Sequence, residues 1–283
     1  MANCFFVSDL HGKPHRYERL FDAIVAEIPS AVFIGGDLFP HMAGHEGVPS
    51  DFLGEYLGPL LEKTRQQLKD RYPTVFVIMG NDDTRAEEPA VEAMARRGLW
   101  DYVHSRRIEW GGHAVYGYAC VPPTPFLLKD WEKYDVSRFT PHGSVSPEEG
   151  YRSVPADPRD IRHATIKQDL EELAGTDDVS NALFLFHTPP HETRLDRAAL
   201  DGKMIDHVPF DVHVGSIAVR RFIEARQPLI TLHGHIHEST RMKGEWRDRI
   251  GRTHSFNAAH DGPELSLIRF DPGDPAGAER ELL

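Results

Sequence analysis

Short apolar runs alternate with stretches of helical period along the first hundred residues. Asn3-Cys4-Phe5-Phe6-Val7-Ser8 is rich in strand formers and stops at Asp9 and Gly12, which predicts a buried strand. The period then changes. Tyr17, Leu20, Phe21, Ile24, Val25 and Ile28 recur at three- and four-residue steps, which predicts a core-facing helix over 14–28 with Pro14 in its first turn. Ala31-Val32-Phe33-Ile34 predicts a second strand, stopped by Gly35-Gly36-Asp37. Residues 51–71 have helical period, with Gly58-Pro59 expected to interrupt them. Thr74-Val75-Phe76-Val77-Ile78-Met79 predicts a third strand, stopped by Gly80-Asn81-Asp82-Asp83.

Continuous apolar strands in β-α-β-α-β order predict an α/β fold, with a parallel sheet covered on both faces. A helix is expected at about 86–97 and short strands over 99–119, split at Gly111-Gly112. Seven prolines over 121–160 forbid a long helix or central strand, so this stretch reads as an irregular insertion near the functional face. Helices are expected over 161–174 and 215–226. Strands are expected at Ala182-Leu183-Phe184-Leu185-Phe186, at Leu229-Ile230-Thr231-Leu232, around Ser255-Phe256-Asn257 and over Leu265-Ser266-Leu267-Ile268. Pro272 to Arg280 reads as a loose tail. No repeat, heptad run or low-complexity tract interrupts the pattern.

Composition narrows the possibilities. The 283 residues carry 32 Lys and Arg against 44 Asp and Glu, a net charge of −12, which argues against a long nucleic-acid polymer as partner. No apolar stretch is long enough to span a membrane, and the N-terminus lacks the basic start of a signal peptide. Cys4 and Cys120 both lie in apolar runs, the pattern of buried thiols in a reducing cytoplasm, so a cytoplasmic location is expected. Histidine is the compositional outlier, with 17 residues.

Four of the 17 histidines fall at strand ends. Five apolar runs stop in metal-ligand residue types: Asp9-Leu10-His11, Gly36-Asp37, Gly80-Asn81-Asp82, His187 and Gly234-His235-Ile236-His237. In open α/β sheets ligands bind beyond the carboxyl ends of the strands, so the fold gathers what the sequence scatters. Two Asp, one Asn and four His form an N/O donor set without thiolate, suited to manganese, iron, zinc, nickel or magnesium. Seven ligands exceed what one tetrahedral ion takes. They suit two divalent ions about 3.5–4 Å apart that share a carboxylate and a water, which becomes a nucleophile at neutral pH.

These segments resemble the signature of the calcineurin-like metallophosphoesterase superfamily, from residue 9 to residue 237. The resemblance implies a four-layer α/β/β/α sandwich, read as a single domain over residues 1–283 with the insertion at about 121–160. It implies one metal held by Asp9, His11, Asp37 and His237 and another by Asp37, Asn81, His187 and His235. The implied activity is hydrolysis of a phosphate ester, a small phosphodiester favoured over a monoester, by attack of a bridging hydroxide. The alternative is a non-catalytic metal-binding scaffold on the same fold. A dinuclear hydrolase of amides or lactones is a further rival that the motif order disfavours.

One position departs from the family pattern. Asp82 stands where many members carry a histidine thought to touch phosphate and protonate the leaving oxygen. Asp82 is therefore a candidate site residue, and His191, in His187-Thr188-Pro189-Pro190-His191, is the candidate replacement proton donor. His233 is a candidate support for His235 or His237. His260, after Phe256-Asn257-Ala258-Ala259, is a candidate lining residue, although this turn lacks the family's usual Pro-Gly. His41, His45, His207, His213, Arg194, Arg197 and Lys203 are weaker candidates for substrate contact. Phe126, Trp131 and Tyr134 of the insertion are candidates for an aromatic cleft wall.

Overall fold

The computed structural model describes residues 3–40, 49–202, 204, 205, 207–209 and 211–283. In chain order, the first half forms β1 (Cys4–Val7), α1 (Pro14–Glu27), β2 (Ala31–Gly35), α2 (Gly58–Leu68), β3 (Thr74–Ile78), α3 (Glu88–Arg96), β4 (Asp101–Tyr102), β5 (Arg106–Trp110) and β6 (His113–Tyr118). Next come α4 (Pro158–His163), α5 (Ile166–Ala174), β7 (Leu183–Phe186), β8 (Met204–Ile205), β9 (Val208–Pro209) and α6 (Ile217–Arg226). The chain closes with β10 (Ile230–His233), α7 (Ser239–Lys243), β11 (Arg247–Ile250), β12 (Thr253–Asn257), β13 (Ser266–Asp271) and β14 (Asp274–Leu282).

Two six-stranded sheets result, ordered β14-β13-β1-β2-β3-β4 and β11-β12-β10-β7-β6-β5. β1 through β4 run parallel, as do β6, β7, β10 and β12. The outer strands β13, β14, β5 and β11 pair antiparallel. β1, β2, β7 and β10 are buried along their whole length, which is why their sequences read as unbroken apolar runs. The sheets pack face to face through aromatic rings: Phe33 and Phe76 of one meet Trp110 of the other edge-on at 6.2 and 6.1 Å, and Phe256 meets Phe270 at 6.0 Å. α1 buries the stripe Tyr17, Leu20, Phe21 and Ile24 on the first sheet. Phe222 of α6 packs on Phe184 of β7, covering the second. The architecture is a four-layer α/β/β/α sandwich.

Several expectations change. Gly58-Pro59 does not break the helical run: a π-turn over Leu53–Leu57 leads directly into α2, with the proline in its first turn. The helix expected over 161–174 is two helices. Thr165 starts the second as one half of a capping box with Gln168. The expected loose tail is instead the edge strand β14, paired antiparallel with β13 from Ser266↔Leu282 to Asp271↔Asp274.

The insertion is irregular, as expected, but it is built around buried polar groups. Lys129 and Glu132 form a fully buried ion pair, and Glu132 also accepts the Thr124 N–H at 2.8 Å. Asp130 accepts the Arg85 N–H at 2.7 Å, which ties the insertion to the loop after β3. Asp135 accepts the Ile217 and Ala218 N–H groups at 2.6 and 3.1 Å, at the start of α6. The aromatic cleft wall is overturned for Trp131 and Tyr134. Trp131 is fully buried, edge-on to His104 at 4.9 Å and beneath the Arg85 guanidinium at 4.6 Å. Tyr134 is buried and hydrogen-bonded to Ser146 and Glu148. Neither ring offers a face to a ligand, and of the three only Phe126 is exposed.

Candidate metal centre

The parallel strands β1, β2 and β3 end beside the parallel strands β7 and β10, and the turns after them carry the candidate ligands. Asp9, His11, Asp37 and His235 all adopt positive φ, at 58°, 49°, 52° and 70°. This region costs non-glycine residues on the order of 1–3 kcal/mol each and persists where the surroundings impose it. Here they do. The Asp9 N–H donates to Gly36 O at 3.0 Å and the His11 N–H to Asp37 O at 2.8 Å. The His235 N–H donates to both Asp9 oxygens, at 3.0 and 3.1 Å.

Close approach is allowed by glycine. A Cβ on Gly80 would collide with Asp37 Oδ1 and stand 2.7 Å from His187 Cε1. One on Gly234 would collide with Ser8 Oγ and Asp9 Oδ2. Both positions have room for hydrogen only.

Ligand atoms of Asp9, His11, Asp37 and His237 lie within 4.8 Å of one another. His237 Nε2 is 3.1 Å from Asp9 Oδ1 and 3.1 Å from His11 Nε2. His187 stands on the other side of Asp37, with Nε2 3.4 Å from Asp37 Oδ2 and 3.1 Å from Asn81 Oδ1. The His235 ring lies 5.2 Å from the His187 ring, centre to centre. All seven candidates meet at one end of the sandwich. Asp9, His11, Asp37, Asn81 and His187 are buried, and His235 and His237 are half-buried.

The donor chemistry fits a bound cation. His187 Nδ1 is 2.7 Å from Gly35 O, so that nitrogen carries hydrogen and Nε2 of the neutral ring is bare. That lone pair faces two further acceptors, Asn81 Oδ1 and Asp37 Oδ2. Three acceptors aimed at each other with no donor between them call for a positive charge. Without one, protons take its place. Burial disfavours charge on His187, but the neighbouring Asp37 carboxylate pushes it up to about 10. Burial opposes ionisation of Asp9, and the His237 hydrogen bond and charge outweigh it, leaving about 2. Burial likewise opposes Asp37, while His187 and His11 hold it well below the carboxylate range. Burial and the His187 charge lower His235 to about 4.

Other expected residues are placed differently. Asp82 is at the centre, its N–H donating to Asp37 Oδ1 at 2.9 Å. His191 faces Asp211 at 3.4 Å and lies edge-on to His213 at 6.1 Å, on the loop that leaves His187. His233 does not support His235 or His237. Its ring bonds Thr188 O at 2.9 Å and Thr231 Oγ1 at 2.8 Å, which braces the turn after His187. His260 bonds Glu264 at 3.0 Å. His213 is held by the buried Asp196 at 2.8 Å. Arg194 and Arg197 are paired with Glu245 and Asp201. His207 is exposed. His41, His45 and Lys203 lie outside the described residues.

Two residues here escaped sequence reasoning. The Arg16 guanidinium is buried and donates to the Asp9 carbonyl at 2.6 Å and to Pro263 O at 3.4 Å, fastening the 260–263 turn to the first ligand loop. Asp83 is fully buried and accepts the Leu38, Phe39 and Gly80 N–H groups at 2.8, 2.9 and 2.8 Å. A second carboxylate directly after Asp82 was a visible signal for Asp83. Nothing local marked Arg16.

The model of the calcineurin-like phosphoesterase family matches residues 3–239. The chain belongs to the calcineurin-like phosphoesterase family. No curated protein is similar enough in sequence to match it. Solved structures share the fold of this phosphoesterase at low identity. TT1561 of Thermus thermophilus aligns with a TM-score of 0.56 and 16% identity, over 99% of this chain and 98% of its own. A dimetal phosphatase from Danio rerio aligns at 0.51 and 11% identity, over 95% of each chain. A putative 5'-nucleotidase from Staphylococcus aureus aligns at 0.51 and 16% identity, over all of this chain and 54% of its own. Among the described residues, no helix of this phosphoesterase is long and apolar enough to cross a membrane.

Proposed function

We propose that this chain is a dinuclear metal-dependent phosphoesterase that favours small phosphodiesters over monoesters. The observation that carries the reading is the convergence of Asp9, His11, Asp37 and His237, with His187 and Asn81 on the far side of Asp37. Asp9, His11, Asp37 and His237 would hold one divalent ion and Asp37, Asn81, His187 and His235 the other, with Asp37 shared. When bound, the two ions supply Lewis acidity toward the phosphate oxygens and an activated water as nucleophile. The chain's own residues do the rest. Gly35 O orients His187, the His235 N–H orients Asp9, and the Asp82 N–H orients Asp37. His191 is the proposed donor of the leaving-group proton. The diester preference is supported by the Asp82 carboxylate, which is a quarter exposed. It repels a dianionic monoester more than a monoanionic diester.

The test is a panel of aryl phosphomonoester, aryl phosphodiester and amide substrates with metal-depleted protein and added manganese. Turnover of the diester above the monoester, abolished by chelator and restored by manganese, is expected. Turnover of the amide alone would place the chain among other dinuclear hydrolases. No turnover with two tightly bound ions would make it a scaffold. His191→Ala should slow a diester with a poor leaving group and spare one with a good leaving group. Equal rates on both would remove His191 from the mechanism.

A further inference from the structure

The side chain of Asp82 turns toward the candidate ligands, and its contacts there suggest a task different from that of the family's histidine. Its Oδ1 accepts the Asn81 Nδ2 amide at 3.3 Å. Its Oδ2 lies 3.6 Å from His11 Nδ1. Its backbone N–H donates to Asp37 Oδ1 at 2.9 Å. One residue thus adjoins three candidate ligands, distributed over both metal positions.

Each contact has an orienting consequence. With Nδ2 turned to Asp82, the Asn81 amide presents Oδ1 on the other side, where it stands 3.1 Å from His187 Nε2. A carboxylate beside His11 Nδ1 favours the tautomer with hydrogen on that nitrogen. This leaves Nε2, which faces His237 Nε2 at 3.1 Å, as the lone pair. We propose that Asp82 is a positioning residue that directs the acceptor atoms of Asn81 and His11 at the two metal positions. The proposal rests on the metal-dependent reading above. Asp82 accepts a hydrogen bond from Asn81 and sets a negative charge 3.6 Å from His11 Nδ1, and a histidine here would bring no such charge. Engaged in this way, Asp82 is not the source of the leaving-group proton.

The experiment titrates metal-depleted protein with Mn²⁺ by calorimetry and with Co²⁺ by visible absorption, with no substrate present. Wild type should bind two ions. Asp82→Asn keeps the shape and removes the negative charge beside His11 Nδ1. It should bind Mn²⁺ about 10–100-fold more weakly at one site or both and shift the Co²⁺ d–d bands. Its melting temperature without metal should match wild type, and Asp82→Ser, which cannot reach both partners, should behave the same way. Wild-type Mn²⁺ affinity and Co²⁺ spectrum in both variants would overturn the proposal. Failure of wild type itself to bind metal would overturn the phosphoesterase reading first, and an Asp37→Asn control distinguishes specific from adventitious binding.

Discussion

Asp82 and Asp83 are neighbours with opposite surroundings. Asp83 Oδ1 accepts from Leu38 and Phe39 and Oδ2 from Gly80, so it clamps the loop after β2 to the loop after β3. Burial and the nearby Asp37 charge push it up to about 8 against those three bonds. Asp83→Asn preserves shape but turns an amide donor toward one set of N–H groups. Leaving a buried donor unsatisfied costs about 1–3 kcal/mol, so urea unfolding should register a loss of that size. An unchanged midpoint would mean the clamp is dispensable. His104 makes a second residue-level prediction. Its Nδ1 accepts the Ala119 N–H at 3.0 Å, and its ring edge rests on Trp131. Burial, then the Arg85 and Lys133 charges, lower it from 6.5 to about 3. Between those values the unfolded chain binds a proton that the folded protein refuses, so stability falls as pH drops from about 6.5 toward 3. His104→Asn, which keeps an acceptor and cannot titrate, should flatten the stability-against-pH curve in that window. A slope equal to wild type would exclude His104 as a contributor.

At the scale of elements, the centre is a property of strand ends. Parallel strands in both sheets terminate together, and the turns that follow carry Asp9, Asp37, Asn81, His187 and His235. Gly80→Ala tests how tightly those ends must approach. The added methyl would meet the Asp37 carboxylate and crowd His187. Calorimetric titration should show weakened Mn²⁺ binding, while a variant with two wild-type sites would show that the loops yield freely. This part of the site was legible because each motif is local: an apolar run, a glycine, then a ligand type. What was not legible depends on partners far along the chain. Arg16 stands beside Tyr17 on a helix stripe, and nothing near it announces carbonyls at 262 and 263. β14 was misread because Asp-Pro-Ala-Gly-Ala lacks β-branched residues. An edge strand is held by backbone pairing, which composition does not report. Trp131 was misread for a related reason: in a proline-rich stretch an aromatic looks free, yet buried Lys129 and Glu132 anchor its segment inside the fold.

At the scale of the whole molecule, the −12 charge is not spread evenly. Asp9, Asp37 and Asp82 crowd one end of the sandwich, where two divalent ions would add four positive charges. The native state offers this assembled site and the unfolded chain does not, so metal binding must appear as stability. At a free ion concentration of a hundred times Kd, one site contributes about 2.7 kcal/mol. For a chain of this size that corresponds to a rise in melting temperature of about 5 °C. Manganese should produce that rise in wild type, chelator should reverse it, and Asp37→Asn should show little of it because both positions share that carboxylate. The gain should also shrink as pH falls, because four of the seven ligands are imidazoles that must shed protons to bind a cation, and Asp37 makes His187 hold its proton up to about 10. A melting temperature indifferent to manganese at pH 8 would remove the metal centre from the account of this fold, whatever its sequence motifs suggest.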